Sequence, residues 1–370
     1  MTQTIANDSP QPPGRWAVVG CGWVARDYAI PAILRSPHAA LIACCDASDA
    51  SLEATSCILK QTGANPRMTR RLDDICADAS VEAAYVATPN HAHVDAVVRL
   101  LEAGKHVLVE KPLAASAADA DRMAAAATAS DRLIGVAYDQ RHHPAHRKIA
   151  ELLAAGEIGT VTQIRILYAC WLPPRWTPDG ISQDNWRIDI ARAGGGAVID
   201  LLPHGIDLCS FLLGDAAVES IHVALQRSVH RYACPADTET ADTNPTKHSV
   251  DDGGVTTLRL GGGALASIHN SYACPDNLPR RLLEVYGSHG LIRSVNTMGQ
   301  TASGEAELIG ASGGVSAIRF DADSPFDCQF NWWSERVIAA RSRTETGGVP
   351  DFSTEVRRFK AMLAAIRSCL

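Results

Sequence analysis

The chain has 370 residues, which exceeds the usual size of one hydrophobic core and predicts two domains. Hydrophobic residues make up 46% and charged residues 20%, as in an ordinary globular protein and unlike a disordered one. The 34 basic and 41 acidic residues give a net charge of −7 without a long basic run, so we expect no nucleic-acid partner. No unbroken apolar run approaches the ~18 residues of a membrane span, so we expect no membrane segment.

The cysteines and the N-terminus indicate the compartment. The eleven cysteines are odd in number and form no C-x-x-C pair. Buried reduced thiols in a cytoplasmic protein fit this pattern better than a disulfide framework or a zinc cage. Residues 1–14 are polar and contain prolines, which predicts a flexible tail and not a signal peptide.

Residues 15–137 alternate short apolar runs with helical patterns at the spacing of βαβ units. The predicted strands are 16–19, 41–45, 83–87, 106–109 and 133–137, and the clearest helical patterns are 94–103 and 114–130. Near-continuous apolar strands between helices are typical of a parallel sheet covered on both faces. We therefore predict a doubly wound Rossmann domain over 15–137.

Residues 138–370 predict a second, α/β domain. A helix over 144–155 is followed by strands that alternate polar and apolar residues, at 161–169, 218–226, 254–260, 264–272, 281–286 and 290–294. Such alternation indicates a large, mostly antiparallel sheet with one open face. The segment 234–252 predicts a surface loop, and 354–370 an amphipathic helix that packs back on the first domain. Outward apolar residues such as Ile268 predict an interface, and so a homodimer or homotetramer.

A glycine motif follows the first strand directly. Gly20-Cys21-Gly22-Trp23-Val24-Ala25 reads G-x-G-x-x-A, in which the first glycine permits a tight turn and the second lets the backbone approach a pyrophosphate. Asp46 ends the second strand, where a carboxylate would bind the ribose hydroxyls of a dinucleotide. We therefore predict that Gly20, Gly22, Trp23, Val24 and Asp46 bind the cofactor.

The residue at the end of the second strand also bears on the choice of cofactor. Asp46 would repel a 2′-phosphate, and Ala47 and Ser48 follow it without an adjacent arginine, so NAD is expected over NADP. A basic loop with Arg67, Arg70 and Arg71 could fold in and reverse this preference.

Further polar residues end the predicted strands 83–87 and 106–109, at the edge where such sheets bind ligands. Thr88, Pro89, Asn90 and His93 follow the first of these strands, and Glu110-Lys111-Pro112 ends the second. We predict that all of these residues except Pro112 contact the cofactor. A metal bound by His91 and His93 lacks a third ligand nearby, so no metal is expected.

A second polar cluster lies on a helix introduced by Gly194-Gly195-Gly196. Asp200 and His204 are four residues apart and share one face of that helix. Removal of hydride from an alcohol carbon needs a base for the hydroxyl proton, and histidine titrates in the right range. Asp207 or Asp200 could orient the ring. Pro203 is tolerable only if the helix begins within a turn of it or is kinked there.

These motifs, in this order and spacing, resemble the Gfo/Idh/MocA oxidoreductase family, which includes glucose–fructose oxidoreductase and inositol 2-dehydrogenase. The resemblance spans about residues 15–300, and its specific marks are the Glu-Lys-Pro motif and the Asp-x-x-x-His pair. It implies a Rossmann domain followed by an α/β domain. It also implies Lys111, Asp200 and His204 as the catalytic trio, with a cis bond at Lys111-Pro112.

The substrate is expected to be a sugar or a cyclitol. Trp171, Trp176 and Trp186 lie close in sequence, and aromatic faces suit the C–H faces of such rings. Arg187 in the same stretch and Arg141 after the last Rossmann strand suit hydroxyl or carboxylate recognition. The predicted substrate-binding residues are Trp176, the two arginines and the catalytic trio.

Three hypotheses for function follow. The first is an NAD(P)-dependent dehydrogenase that acts on a secondary hydroxyl. The second is a redox-neutral, glycosidase-like enzyme that retains its NAD. The third is a catalytically silent, cofactor-sensing regulator, against which the presence of all three catalytic residues argues.

Overall fold

The structure is a computed structural model that describes residues 11–173, 176–177, 180–181, 185–227, 250–342 and 348–369. The predicted tail over 1–14 and the predicted loop over 234–252 lie mostly outside these residues. The described residues therefore cover most of the two predicted domains and of the site between them.

The first domain contains one six-stranded parallel sheet. Its strands are β1 (Gly14–Val19), β2 (Ala39–Cys45), β3 (Arg67–Thr69), β4 (Ala83–Val86), β5 (His106–Glu110) and β6 (Ile134–Ala137). They lie in the order β3-β2-β1-β4-β5-β6, so the direction of winding reverses between β1 and β4. Such a reversal opens a crevice at the carboxyl ends of the strands. The predicted doubly wound sheet is confirmed.

Helices cover both faces of this sheet. They are α1 (Ile30–Arg35), preceded by a π-helical turn at Ala25–Ala29, α2 (Asp49–Thr62), α3 (Leu72–Cys76), α4 (His93–Glu102) and α5 (Ala117–Thr128). The side chains of Ser48 and Ser116 cap α2 and α5 by accepting backbone N–H groups. Strands β4 and β5 are buried along their whole length, which explains their unbroken apolar sequences.

The second domain contains an eight-stranded sheet and a short ribbon. The strands are β7 (Val161–Ala169), β8 (Trp176–Thr177), β9 (Gly180–Ile181), β10 (Val218–Gln226), β11 (Gly253–Leu260), β12 (Leu265–Ser271), β13 (Arg281–Gly287), β14 (Gly290–Val295), β15 (Glu305–Gly310) and β16 (Val315–Ala317). The sheet order is β10-β11-β12-β7-β13-β14-β15-β16, and only the β12–β7 pair within it is parallel. The mostly antiparallel sheet is as predicted.

The helices of the second part of the chain are α6 (Pro144–Ala154), α7 (Ile190–Ala193), α8 (Ala197–Leu212), α9 (Pro325–Arg341) and α10 (Phe352–Arg367). Helix α9 packs on the Rossmann sheet, where the Trp16 indole N–H donates to Ser334 Oγ at 2.9 Å. Helix α10 lies against α5, and Lys360 Nζ is 2.7 Å from Asp121 Oδ1. Both helices thus return to the first domain.

Helix α8 covers the inner face of the eight-stranded sheet. The expectation that Ile268 points outward is wrong: Ile268 is fully buried, and a Cβ on Gly205 of α8 would lie 3.0 Å from its side chain. The outward positions of β12 are instead Leu265, Ser267 and His269. The segment Ile190–Leu212 is apolar and long enough to cross a membrane, but 89% of its most apolar stretch is buried in the protein core.

The start of α8 is fixed by Asp251. Its Oδ1 and Oδ2 accept the backbone N–H groups of Gly196 and Val198 at 3.0 and 2.7 Å. A Cβ on Gly196 would lie 2.1 Å from the Asp251 carbonyl oxygen, so this position requires glycine. The helix begins at Ala197, more than one turn before Pro203, so of the two arrangements predicted to tolerate this proline, the one in which the helix begins within a turn of it is not present.

We expect Asp251→Ala to lower the free energy of unfolding by about 1–3 kcal/mol, because two buried N–H groups at the start of α8 lose their acceptor. Asp251→Asn keeps one acceptor oxygen and should lose less. Chemical denaturation at neutral pH measures both, with the exposed Asp321→Ala as the control. Equal stability of Asp251→Ala and the wild type would contradict this role.

Candidate active site

The carboxyl ends of the Rossmann strands, helix α8 and the second sheet enclose a cleft of about 850 Å³. Almost all residues predicted to bind cofactor or substrate line it: Gly20, Gly22, Trp23, Val24, Asp46, Thr88, Pro89, Asn90, His93, Glu110, Lys111, Trp176, Arg187, Asp200 and His204. The exception is Arg141. The cleft therefore joins the predicted dinucleotide end and the predicted catalytic cluster in one space.

The glycine motif forms a cradle at one end of the cleft. Gly20 has φ +93°, and a Cβ there would lie 2.6 Å from the backbone of Ala87, so only glycine fits. A Cβ on Gly22 would meet no atom within 4 Å, which leaves open space beside the loop. The cradle therefore has room for the pyrophosphate of a dinucleotide, which the backbone can approach there.

Asp46 holds the glycine loop as well as facing the cleft. Its Oδ2 accepts the Cys21 N–H at 2.7 Å and its Oδ1 accepts the Ser48 N–H at 2.8 Å. The basic loop does fold in, because Arg70 donates from Nε to the Ala47 carbonyl oxygen at 3.2 Å and lines the cleft. The expected absence of an arginine near Asp46 is therefore wrong.

Asn90 and His93 tie the end of β4 to its neighbours. Asn90 Nδ2 donates to the Ala193 carbonyl oxygen at 2.8 Å. His93 is almost fully buried, with Nε2 at 2.8 Å from the Thr88 carbonyl oxygen and Nδ1 at 3.2 Å from that of Leu113. Burial lowers the pKa of His93 to about 4, so it is neutral at physiological pH. Their polar groups thus position the walls of the cleft.

Lys111 and Asp200 form an ion pair between β5 and α8. Lys111 Nζ lies 2.7 Å from Asp200 Oδ1 and 3.1 Å from the Asp200 carbonyl oxygen. The Tyr272 hydroxyl donates to Asp200 Oδ2 at 2.7 Å. The side chains of Lys111 and Asp200 keep 16% and 28% of their surface exposed, so a ligand in the cleft can reach both. The Lys111-Pro112 bond is cis, as the family resemblance implies.

The ion pair fixes the charges of both groups. Burial alone would raise the pKa of Asp200, but the charge of Lys111 and hydrogen bonds from Lys111 and Tyr272 lower it to about 2. Burial would lower the pKa of Lys111, but Asp200 and Glu110 raise it above its usual value. Lys111 is therefore a cation and Asp200 a very weak base at neutral pH.

His204 is oriented by a residue that the sequence analysis missed. Its Nδ1 lies 3.2 Å from Asp139 Oδ1, an ion-pair contact between two buried side chains that is not aligned as a hydrogen bond. Burial would raise the pKa of Asp139, but His204 and Lys111 lower it, so it is a carboxylate. The Tyr168 ring packs edge-on to His204 at 5.4 Å. Asp139 lies two residues after the end of β6, at the same edge of the sheet as Lys111, and this position is a signal that the sequence offers.

Asp207 and Arg141 have a different role from the one expected. They pair with each other, with Arg141 Nε 3.0 Å from Asp207 Oδ2, and Asp215 lies 3.4 Å from the same guanidinium. Arg141 lines a separate cavity next to Leu213 and Gly261. Asp207 therefore does not orient His204, and Arg141 is held away from the cleft.

Glu110 is buried behind Lys111. Its Oε1 accepts the Tyr85 hydroxyl at 2.5 Å, and its Oε2 accepts the Lys111 N–H at 3.2 Å. Burial raises the pKa of Glu110 to about 7, although Lys111 and Tyr85 oppose this rise. Glu110 thus adds a negative charge near Lys111 that depends on pH in the neutral range.

Aromatic residues form the other end of the cleft. Trp171, Trp176 and Trp186 line it, and the Trp176 ring lies 6.4 Å from Trp23, edge to face. The Arg187 guanidinium lies 4.7 Å from the centre of the Trp186 ring. The cleft thus has a phosphate cradle at one end, apolar faces with arginine at the other, and a cation and an imidazole between them.

Comparison with known proteins agrees with this architecture. Residues 14–138 match the NAD-binding Rossmann fold of an oxidoreductase family, and residues 146–293 match the GFO/IDH/MocA C-terminal domain. The chain belongs to the Gfo/Idh/MocA family.

Two curated relatives and two solved structures illustrate the range of this family. The chain is 27% identical to 1,5-anhydro-D-fructose reductase of Ensifer adhaerens, over 92% of this chain and 91% of that protein. It is 28% identical to myo-inositol 2-dehydrogenase of Thermotoga maritima, over 60% of this chain and 59% of that one.

The solved structures share the fold at lower identity. Aldose-aldose oxidoreductase from Caulobacter crescentus, complexed with glycerol, has a TM-score of 0.78 at 21% identity over 96% of this chain and 98% of that one. A mutant 3-ketoreductase from Actinomadura kijaniata, with TDP-benzene and NADP, has a TM-score of 0.74 at 21% identity and the same coverage.

Proposed function

We propose that the protein is an NAD(P)-dependent oxidoreductase that interconverts a secondary hydroxyl of a sugar or cyclitol and the corresponding ketone. The observation that carries this proposal is that the Lys111–Asp200 pair and the Asp139–His204 pair line the same cleft as the glycine cradle. The sugar and inositol oxidoreductases among its relatives support the substrate class.

The residues present fit a dinucleotide. Gly20 and Gly22 would hold its pyrophosphate, Asp46 its adenosine ribose, and the ends of β4 and β5 its nicotinamide half. When bound, the oxidised nicotinamide supplies the acceptor for the hydride that leaves the alcohol carbon.

The chain's own residues handle the proton and the charge. His204 takes the hydroxyl proton, because Lys111 is already protonated and Asp200 is too weak a base. Lys111 stabilises the negative charge that develops on the substrate oxygen. Asp139, whose Oδ1 lies 3.2 Å from Nδ1 of His204, stabilises the imidazolium that forms, and Nε2 is the nitrogen assigned to the substrate.

The test is a panel of sugars and polyols incubated with oxidised NAD or NADP, with absorbance of the reduced nicotinamide as the readout. Net reduction by at least one sugar or cyclitol is expected. A redox-neutral enzyme would convert substrate without any net change in the cofactor, and a regulator would do neither.

His204→Ala is expected to lower kcat by about 10²–10⁴-fold, the usual contribution of general base catalysis. Lys111→Ala should lower kcat by a similar factor. Cofactor affinity should hardly change in His204→Ala, since the histidine is assigned to the substrate. Asp139→Asn should lower kcat less than His204→Ala, because the base remains but loses its orienting charge. Steady-state kinetics and cofactor titration measure these effects. Near wild-type oxidation by His204→Ala would contradict the assignment.

NAD is expected to bind more tightly than NADP, because the Asp46 carboxylate repels a 2′-phosphate. Arg70, which folds in beside Asp46, is paired with Asp49 at 3.0 Å, so the preference rests on Asp46 alone. The solved structures that contain NADP give no support for ranking NADP lower. Fluorescence titration tests it. Asp46→Asn, which keeps an acceptor for the Cys21 N–H, should raise NADP affinity about tenfold or more, and Arg70→Met should weaken only NADP binding. Equal or tighter binding of NADP by the wild type would overturn the preference.

We propose that the outer face of the eight-stranded sheet forms a homodimer or homotetramer interface. Four of the seven exposed large apolar side chains among the described residues lie on it: Val255, Leu265, Val295 and Val315. The central strands of this face carry a ladder of charges, with Glu284 at 3.2 Å from Arg165 and 3.3 Å from Arg293. Paired charges flanked by exposed apolar residues suit a self-complementary contact.

Light scattering at micromolar concentration is expected to give the mass of a dimer or tetramer. The double variant Leu265→Glu with Val295→Glu should give a monomer, because it places two charges among the exposed apolar residues of this face. Ile190→Glu, at an exposed apolar residue outside this sheet, is the matched control and should not change the mass. A monomeric wild-type protein would refute the interface.

We also propose a cytoplasmic location. Ten cysteines among the described residues are free thiols, and four of them are buried: Cys21, Cys44, Cys45 and Cys209. Reduced thiols persist in a reducing compartment.

A further inference from the structure

Two arginines at the substrate end of the cleft lack an acidic partner. Within the described part of the chain, Arg187 and Arg281 line the cleft and have no carboxylate at ion-pair distance. The other lysine and arginines that line the cleft are neutralised, Lys111 by Asp200, Arg280 by Asp276 and Arg70 by Asp49. Proteins seldom leave charges at the wall of a cleft unpaired unless a ligand completes the pair.

Arg281 and the proposed base His204 contact the same aromatic ring. The Arg281 guanidinium lies 5.7 Å from the centre of the Tyr168 ring, and His204 contacts the same ring. A Cβ on Gly299 would lie 2.6 Å from Arg281 Nη1, so the backbone of Gly299 packs closely against the guanidinium. Arg281 Nε is buried without an acceptor, which is costly in a folded protein.

Arg187 approaches the ion pair from another element. It stacks on Trp186, and its charge helps to lower the pKa of Asp200 and acts on Tyr272. Since Tyr272 and Lys111 both hydrogen-bond to Asp200, Arg187 lies near the catalytic cluster and not at the glycine cradle. Arg187 and Arg281 thus approach the same reaction centre from different sides.

We propose that the substrate carries an anionic group, a carboxylate or a phosphate, which Arg187 and Arg281 bind while the hydroxyl to be oxidised faces Lys111 and His204. This inference rests on the proposed function and narrows its substrate class to acidic sugars or cyclitols. Guanidinium groups match carboxylate and phosphate oxygens with two parallel hydrogen bonds, which a neutral hydroxyl cannot accept.

The test compares matched ligands on the NAD-loaded protein: glucose, glucuronate and glucose 6-phosphate. Dissociation constants come from quenching of the cleft tryptophans, and kcat/KM from reduction of the nicotinamide. At least one anionic ligand should bind about 10- to 100-fold more tightly than glucose, in line with hydrogen bonds to charged groups. Whether glucuronate or glucose 6-phosphate is preferred distinguishes a carboxylate from a phosphate.

Variants assign the preference to the two arginines. Arg281→Met and Arg187→Met should each reduce the anionic-over-neutral ratio about tenfold or more, while NAD affinity stays unchanged. Arg281→Lys keeps the charge and should retain part of the ratio. Arg259→Met, on the exposed outer face of the sheet, is the control and should leave the ratio as in the wild type.

Three results would overturn the anion site: equal binding of glucose and both anionic ligands, a ratio that survives both methionine variants, or a loss of NAD affinity in those variants without a change in the ratio. The last result would assign the arginines to the dinucleotide. Tight, arginine-dependent binding of an anionic ligand without any nicotinamide reduction would support the anion site and count against the proposed oxidoreduction.

Discussion

The ion pair between Lys111 and Asp200 joins the two halves of the protein at the point where chemistry is proposed. Lys111 ends β5 of the Rossmann sheet, and Asp200 lies in the first turns of α8, which packs on the second sheet. A partly buried pair of this kind is costly to break, because either partner alone would be an uncompensated charge. The pair therefore fixes both the distance between the domains at the cleft and the charge of the lysine.

The surroundings of this pair serve to hold it. Asp251 and Gly196 fix the start of α8, and Tyr272 from the end of β12 occupies the second oxygen of Asp200. Glu110 adds a negative charge behind the lysine. Gly196 is therefore needed for the close packing of α8 against Asp251, which in turn positions Asp200.

Much of the fold could be predicted from the sequence, because its strands are either fully buried or alternate regularly. Strand β3 has only three residues and gave no usable pattern. The sequence could not predict that the side chain of Ile268 points inward, because alternation shows which residues share a face of the strand but not which face meets α8. That choice depends on the close approach of Gly205, which is a tertiary contact.

The motifs located the candidate site, but the partners of its residues were harder to find. Lys111, Asp200 and His204 stand in recognisable local patterns, whereas Asp139 and Tyr272 reach the site through pairing of distant segments. Asp207 and Arg141 each have suitable chemistry near the site in sequence, but they neutralise each other. Sequence spacing can show that side chains share a helix face, and only the packed structure shows what lies opposite.

The most direct test of this account is the pH dependence of kcat/KM in Asp200→Asn. Asp200 raises the pKa of Lys111 and burial lowers it, so loss of the carboxylate should let Lys111 deprotonate at lower pH. The account predicts that the alkaline fall in kcat/KM begins at lower pH in Asp200→Asn than in the wild type. Coincident alkaline limbs would show that the charge of Lys111 does not depend on Asp200, and would contradict the central claim.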